Sequence, residues 1–317
     1  MRLKYFLILI SPILIIPIVL GIGRYSIWSF PLTDTAWHIL FNIRIPRILL
    51  CALAGIALSV AGTSLQATLR NPLVSPSILG LSQGAAFGAA LAMVVLPYHP
   101  YILPIVAFVF GFLAVSIACL AARIHGEFST ITIILGGVIV GAVFTALLSM
   151  IQLIADPYRL AGVVFWALGG FHRASWQSFF ICAPGLIIGL PVLFSIRWRL
   201  NVLSMGDEEA KLLGANLKRD RLIVIISSTI VCASVIAVTG IIGWIGLIIP
   251  HMTRSLIGPD NKYLIPASAA FGASFLLITD TLCRTLFTFE MPISVVTTLI
   301  AAPYFIYLLK KVGGGWR

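Results

Sequence analysis

The sequence predicts an all-α, polytopic membrane protein of about ten transmembrane helices. Of its 317 residues, 60% are hydrophobic and only 10% are charged, and the mean hydropathy is +1.09. Soluble domains carry roughly 25% charged residues, so this composition excludes a secreted module, a cytosolic enzyme and a single-anchor receptor. A membrane-spanning helix takes about 20 apolar residues, which leaves room for about ten spans and no sizeable soluble domain. We therefore expect one transmembrane domain over residues 1–317.

Apolar runs divide the chain in order. The first, 5–22, has no small-residue cleavage site after it, so it is interpreted as a retained helix rather than a signal peptide. A polar stretch that contains Asp34 follows. A late run, about 247–257, is too short to span the bilayer as an α-helix and is expected to be a buried half-helix. The other runs lie at about 47–69, 77–97, 101–122, 130–154, 177–195, 222–246, 262–284 and 293–309.

Glycines recur within these runs at four-residue spacing, which places them on one face of a helix. Small residues on such a face let helix backbones approach closely, which is how helices associate in lipid. We expect these faces to be packing surfaces. The residues are Gly80, Gly84 and Gly88, then Gly137 and Gly141, then Gly185 and Gly189.

The charges predict an orientation. Lys and Arg number 21 against 10 Asp and Glu, a net charge of +11. If the N-terminus is cytoplasmic and the short segment counts as a crossing, 14 of the 21 basic residues fall inside and six outside, with Arg254 in the short segment. The positive-inside rule then places both termini in the cytoplasm. It also makes the polar segment 197–221 cytoplasmic.

Several kinds of chemistry lack their motif. Gly136 and Gly141 have the glycine spacing of a phosphate-binding loop, but Ala142 and Val143 stand where that loop needs Lys and a hydroxyl. The five cysteines show no metal or redox spacing and are expected to be packed hydrophobes. His251 is isolated and is interpreted as a structural hydrogen-bonding group rather than a metal ligand. We expect no catalytic residue and no metal site in this chain.

The segment 197–221 contains a short helix signal, Asp207 to Leu213, with acidic residues in its first turn and Gly214 as a stop. A helix of this kind fits either docking into a groove of a soluble partner or a solvated loop. The small apolar face that would dock consists of Ala210, Leu213 and Leu217.

The predicted outer side carries a second polar set. Arg44 and Arg47 open the second span, and Asp280 and Arg284 stand at i,i+4 spacing where they can pair. Planar guanidinium groups suit carboxylates, so these arginines fit an acidic docking partner, with contact to lipid headgroups as the alternative. Asp280 and Glu290 lie near helix ends rather than at mid-depth. This position argues against an ion-coupled carrier.

Two turns lie on the predicted cytoplasmic side. Asn71-Pro72 breaks the helix that ends there, and the turn 126–130 joins two spans. The turns fit either the mouth of a pore or plain connections.

Taken in order, the motifs resemble the membrane subunits of binding-protein-dependent ABC importers for iron-siderophores, haem and cobalamin, from about residue 44 to 311. The motifs are Arg44-Ile-Pro-Arg47, Gln66 with Arg70-Asn-Pro-Leu73, Ile78-Leu-Gly-Leu-Ser82, Trp166-Ala-Leu-Gly-Gly170, Leu203-Ser-Met-Gly206 with Ala210 and Leu213-Gly214, Gly243-Trp-Ile-Gly-Leu-Ile-Ile-Pro-His251, and Asp280 with Arg284 and Glu290-Met-Pro292.

The resemblance implies a type II ABC importer permease fold. The subunit would work as a homodimer, or as a heterodimer with a similar permease, in membrane lipid. Two cytoplasmic ATPase subunits, which hold ATP-Mg, and one substrate-binding protein would complete the importer. Some relatives carry an oxyanion such as molybdate, so an oxyanion importer of the same fold is the alternative. A secondary transporter working alone would need ionisable groups at mid-membrane, and a membrane enzyme would need clustered His, Asp and Glu. The sequence shows neither.

The resemblance also implies roles for individual residues. Docking of the binding protein falls to Arg44, Arg47 and Arg284. Coupling to the ATPase falls to Leu203, Gly206, Asp207, Glu208, Ala210, Leu213, Gly214 and Leu217. The cytoplasmic gate is assigned to Asn71, Leu73, Ser129 and Thr130.

Overall fold

The computed structural model describes residues 2–23, 25, 33–124, 127–128, 130–286 and 288–312. Over these residues the chain is helical apart from its connections and a two-residue antiparallel pair, β1 (Arg123–Ile124) with β2 (Glu127–Phe128). The α-helices are α1 (Arg2–Gly21), α2 (Asp34–His38), α3 (Ile45–Thr68), α4 (Leu81–Val94), α5 (Ile102–Ala121), α6 (Thr130–Ile154), α7 (Pro157–Ala167), α8 (Trp176–Ser195), α9 (Arg197–Met205), α10 (Asp207–Leu212), α11 (Leu217–Thr239), α12 (Ile245–Ile257), α13 (Asn261–Thr285) and α14 (Ile293–Val312).

Ten helices of the described chain have the composition of membrane helices. Seven are long and apolar enough to cross a membrane, and three shorter ones, α4, α12 and the stretch 293–308 of α14, are also apolar. These numbers agree with the about ten membrane helices predicted, and the all-α polytopic class is confirmed. The seven long spans are Arg2–Gly21, Asp34–Thr68, Ile102–Ala121, Thr130–Ile154, Trp176–Ser195, Leu217–Thr239 and Asn261–Thr285.

Helix α3 occupies the centre of the bundle and packs against α8, α11, α12 and α13. Two glycines on it explain how closely its neighbours approach. A Cβ added at Gly55 would collide with the backbone of Gly272 in α13, and one at Gly62 would collide with the backbone of Gly246 in α12. Backbone atoms cannot rotate away as side chains do, so these positions accept only glycine without a shift of a helix.

The other predicted glycine faces are also packing surfaces. Gly84 and Gly88 of α4 lie against the backbone of α5, and Gly137 of α6 lies against the backbone at Ile78 and Leu79. Gly185 and Gly189 of α8 face Ser234 and Val231 of α11, respectively. Small residues at these crossings supply the van der Waals contact that holds helices together in lipid.

The bundle has two ends, which we name after one residue near each end of α3, Arg47 and Asp207. At the Arg47 end lie the start of α3, the last turns of α1 and α13, and the residues around Glu290. At the Asp207 end lie Arg70, which follows α3, the start of α11 and the start of α13. Helix α9 joins the second group, because Asn201 donates to Asp260 at 2.7 Å.

The short helix α12 lies in the segment 239–260, which leads from the end of α11 to the start of α13 and connects the two ends of the bundle. At its start, the carbonyl of Thr239 accepts from Gly170 at 2.8 Å, and that of Ile241 accepts from Ser294 at 2.6 Å. At its finish, Asp260 is bonded to α9 at the opposite end. The segment 239–260 therefore runs from one end of the bundle to the other, and its helical part is α12.

The structure corrects three expectations about the connections. The polar stretch before α3, which was not assigned to a helix, is helical from Asp34, and a π-helical turn (Ile39–Arg44) joins α2 to α3. Helix α7 was not predicted, because its eleven residues stand in a connection where Pro157 and the cap Asp156 are the only strong signals. The run expected at 77–97 is divided at Gly80, which ends a 3₁₀ turn at φ +85° before α4 begins.

The packing of α3 makes Gly62 a site where a single methyl group has a large effect. We expect Gly62→Ala to destabilise the protein by about 1–3 kcal/mol, the range found for overpacked cores, because the methyl group meets backbone rather than a flexible side chain. The measurement is thermal unfolding of the purified protein in detergent. Gly243→Ala is the control, since an added Cβ there meets no atom within 4 Å. Equal unfolding temperatures for the two variants would contradict this account of the α3–α12 contact.

Candidate functional site

Three arginines predicted to act together surround one cavity at the Arg47 end. Arg44 comes from the π-helical turn, Arg47 from the first turn of α3 and Arg284 from the end of α13. They line a cavity of about 250 Å³, together with Gly23, Tyr25, Ile39, Ile43 and Glu290. The structure therefore brings together side chains that lie more than two hundred residues apart in the sequence.

Arg47 is held by carboxylates of its own chain. Its Nε donates to Oδ2 of Asp280 at 3.0 Å and its Nη2 donates to Oδ1 at 2.7 Å, a bidentate pair. The side chain of Glu290 accepts a further bond from Nη2. The Asp280 side chain is only 5% exposed, so it depends on Arg47 for charge compensation. The i,i+4 pair expected between Asp280 and Arg284 is present at 3.9 Å, as a weaker contact than this one.

Arg44 and Arg284 are held differently, by the end of α1. Arg44 donates to the carbonyl oxygens of Leu20 at 2.7 Å and Tyr25 at 2.5 Å, and Arg284 donates to that of Val19 at 2.9 Å. The last carbonyls of a helix lack intrahelical donors and carry the negative end of the helix dipole, so they attract guanidinium groups. These two arginines are thus positioned without being neutralised by a carboxylate in direct hydrogen bonding.

The charges around the cavity leave it positive. Three guanidinium groups face two carboxylates, Asp280 and Glu290, and Asp280 is buried beneath Arg47. Glu290 is the more exposed of the two, with 34% of its side chain accessible. An incoming anionic group would therefore meet Arg44 and Arg284 and would compete with Glu290 for Arg47.

A second cavity at the same end was not predicted from the sequence. It has a volume of about 710 Å³ and lies among the α4–α5 connection, α7, the start of α8 and the end of α11. Arg159, Trp166 and Arg173 are among its lining residues. Because these residues come from four separated segments, no local motif reports the cavity.

At the Asp207 end, the segment 197–221 folds as three helical pieces. Gly206, at φ +147°, separates α9 from α10, and Gly214, at φ +78°, follows α10. The short helix predicted over 207–213 is observed as Asp207–Leu212. Asn216 then caps α11 by accepting from the backbone N–H of Arg219 at 3.1 Å.

The apolar face of α10 differs from the one expected. Ala210 is fully buried, and Leu203 of α9 is 2% exposed, so both hold the segment against the bundle rather than presenting a surface. Leu217 packs partly on the main core. The exposed apolar pair is Leu212 and Leu213, with accessibilities of 88% and 62%. The sequence pattern missed Leu212 because the side of α10 that meets α9 and α11 depends on the bend at Gly206.

The remaining predicted coupling and gate residues surround this segment. Glu208 is exposed, and Asp207 forms ion pairs with Arg70 and Arg221. Asn71 is half-buried, and its side chain accepts from the backbone N–H of Leu73 at 2.9 Å. Leu73 is exposed, and Thr130 is half-buried at the start of α6. Ser129 lies outside the described residues.

No arrangement for a resident metal is found in the described part of the chain, where no three His, Cys, Asp or Glu side chains are grouped to hold an ion. His251, expected to be structural, has its ring Nδ1 at 3.3 Å from the hydroxyl of Tyr304 in α14. Four of the five cysteines are buried and all five are free thiols.

Comparisons with known proteins agree with this architecture. A family model described as the FecCD transport family matches residues 5–311. The chain is 36% identical to the molybdate import system permease protein of Haemophilus influenzae, covering 93% of this chain and 92% of that protein. It is also 36% identical to the hemin transport system permease protein of Yersinia pestis, covering 92% and 89%. A solved inward-facing structure of an ABC transporter, assigned provisionally to the metal-chelate type, superposes with a TM-score of 0.91 at 36% identity, covering 98% and 100%.

The buried pair between Arg47 and Asp280 predicts a strong dependence of stability on Arg47. We expect Arg47→Met to destabilise the protein by about 3 kcal/mol, because it leaves a buried carboxylate with only its weaker contact to Arg284. The double variant Arg47→Met with Asp280→Leu should lose much less, since neither charge remains. Thermal unfolding in detergent of both variants measures the difference. A double variant as unstable as the single one would show that charge compensation is not the role of Arg47.

Proposed function

This chain belongs to the FecCD transport family, and on that premise we propose that it is the membrane permease subunit of an ABC importer for a metal chelate. The cargo would be of the iron-siderophore, haem or cobalamin class, and ATP hydrolysis on partner subunits would drive its passage. The observation that carries the proposal is the presence of two different surfaces at opposite ends of the bundle. An arginine-lined cavity lies at one end of the bundle, and a short helix with exposed leucines lies at the other.

The cavity at the Arg47 end is the proposed docking point for a substrate-binding protein. A carboxylate side chain of that protein would enter between Arg44 and Arg284, whose guanidinium groups are held by backbone carbonyls and keep their charge. Such charged contacts guide encounter and are weakened by salt. Arg47 would take part as well, if the carboxylate displaces Glu290 from it.

Helix α10 is the proposed contact with the ATPase. Leu212 and Leu213 protrude together, and an apolar pair on a short helix fits a hydrophobic groove. Leu203 and Ala210 would support this helix from beneath. The sequence contains no phosphate-binding loop, so ATP-Mg is assigned to the ATPase subunit and no cofactor to this chain. The single domain 1–317, with 197–221 as its coupling segment, would thus be a transport subunit and not an enzyme.

The complete importer would contain two permeases, identical or similar, two ATPases and one binding protein in the cytoplasmic membrane. The excess of basic residues at the Asp207 end supports cytoplasmic termini by the positive-inside rule. One face of α6 exposes apolar side chains, which suits a second permease or lipid. These residues are Leu135, Val138, Ile139 and Val143. Alternating access would then follow from each partner preferring one state of the permease dimer.

An oxyanion of the molybdate or tungstate class is the alternative cargo, since a molybdate permease is as similar to this chain as a hemin permease. The 710 Å³ cavity has the volume of sites for drug-sized ligands, so it has room for a chelate as well as for an oxyanion. Uptake of labelled haem, ferric siderophore, cobalamin and molybdate by cells with and without the chain distinguishes the two. Loss of molybdate uptake alone would reject the chelate assignment.

The docking proposal predicts opposite effects for two residues of the same cavity. Arg284→Gln should weaken binding of the substrate-binding protein about tenfold, or ~1.4 kcal/mol, and the loss should shrink at high salt. Glu290→Gln should tighten binding, because it removes the carboxylate that competes for Arg47. Titration of the binding protein onto the purified permease at low and high salt measures both.

The control is Lys262→Gln, which removes an equal charge from an exposed side chain at the opposite end of the bundle and should leave binding unchanged. Weaker binding in Glu290→Gln would contradict a cavity that accepts a carboxylate.

The coupling proposal predicts that Leu213→Asp, and more so Leu212→Asp with Leu213→Asp, abolishes co-purification of the ATPase, since a carboxylate would be buried in an apolar groove. Tyr98→Asp is the matched control, because Tyr98 is 95% exposed in the α4–α5 connection. Retention of the ATPase by the double variant would exclude α10 as the contact.

A further inference from the structure

One carboxylate at the Asp207 end connects three segments of the chain. Oδ1 of Asp207 lies 2.9 Å from Nη2 of Arg70 and accepts from Nη2 of Arg221 at 2.6 Å. Arg70 follows α3, Asp207 opens α10, and Arg221 lies near the start of α11. The exposed short helix is therefore joined by ion pairs to the end of the central helix and to α11.

We propose that the Arg70–Asp207 ion pair is a mechanical link, which transmits a displacement of α10 to the segment 70–74 at the end of α3. Asp207 and Arg70 are then positioning residues. They act through the segment 70–74, called the gate segment because it contains the predicted gate residues Asn71 and Leu73, rather than on cargo or nucleotide. The inference rests on the proposed function, because it takes α10 as the element that the ATPase moves.

The two arginines paired with Asp207 differ in burial, and this difference gives the two ion pairs different roles. The Arg221 side chain is 5% exposed, so its charge needs a fixed counter-charge and holds Asp207 in place. The Arg70 side chain is 39% exposed, so its removal leaves no buried charge behind. The Arg70–Asp207 ion pair can therefore be broken without disturbing the Arg221–Asp207 ion pair.

The segment beyond Arg70 is built to move as one piece. Asn71 donates its backbone N–H to Gln66 at 3.2 Å, and its carbonyl accepts from Val74 at 3.2 Å. Its side chain accepts from Leu73 at 2.9 Å. Arg70 itself has φ +47°, the left-handed region that a side chain seldom adopts without a fixed surrounding. A pull on its guanidinium group is thus passed to a bonded turn rather than absorbed by a loose chain.

Helix α10 is a separate short element between two glycines and is held to the bundle by few residues, chiefly Ala210 and Asp207. It has six residues, and glycines with positive φ stand before and after it, at positions 206 and 214. Its last residue, Leu212, and the residue that follows it, Leu213, are both exposed. Without a link at Asp207, a partner could move this helix and leave α3 in place.

The test reads the position of the gate segment and needs no cargo. Leu73→Cys, in a background with the five native cysteines replaced, reports accessibility through its labelling rate with a water-soluble maleimide. The rate is measured on the complex with the ATPase, once without nucleotide and once with ATP and vanadate. We expect the nucleotide-dependent change in rate to shrink about fivefold, or about 1 kcal/mol, when Arg70→Gln or Asp207→Asn is added.

Two further variants separate a link from a general structural role. Arg70→Lys should restore the change in rate, since it keeps the charge. Lys262→Gln, which removes an exposed charge at the same end of the bundle but outside the segment 197–221, should leave it intact. Double substitution of Arg70 and Asp207 should be no worse than the more severe single one, as expected for one shared interaction.

An undiminished change in rate in Arg70→Gln overturns the link, and so does an equal loss in Lys262→Gln. Co-purification of the ATPase with the unsubstituted chain is scored separately. Its absence would refute the proposed function itself, whereas its presence beside an undiminished change refutes the link alone.

Discussion

Around α3 the backbones of α12 and α13 come so close that Gly55 and Gly62 have no room for a methyl group. This contact constrains everything else in the bundle. It places a single buried helix between the two surfaces proposed to meet partners, with Arg47 in its first turn and Arg70 just beyond its last. A displacement of α3 would therefore have to shift α12 and α13 with it or separate closely packed backbones.

The two ends of α3 use charge in different ways. At the Arg47 end, a bidentate pair with Asp280 neutralises a buried charge and fixes α3 to α13. The neighbouring guanidinium groups are held by helix carbonyls and remain available to an anion. At the Asp207 end, one carboxylate oxygen serves two arginines. The first arrangement suits reception of a charged group, and the second suits the joining of elements.

A rigid helix that touches both surfaces also offers a physical route for coupling between them. Energetic coupling over such a distance requires elements that shift between discrete arrangements. The π-helical turn before α3 and the left-handed residue after it mark the places where the helix ladder is interrupted. Movement of the buried part would be accommodated at these two interruptions, which lie next to the proposed docking cavity and gate segment.

Composition and motif spacing are enough to predict the class of the protein, the approximate spans and the glycine faces. These depend on composition and on spacing along one helix, which need no partner element. The charge distribution also predicts that Arg44, Arg47 and Arg284 belong to one end. The folded chain is needed to show that Arg47 is bound by Asp280 and Glu290, that Ala210 is buried while Leu212 is exposed, and that Asp207 joins Arg70 to Arg221. Those contacts join segments distant in sequence, and their geometry is set by how closely the helix backbones approach, which no local pattern encodes.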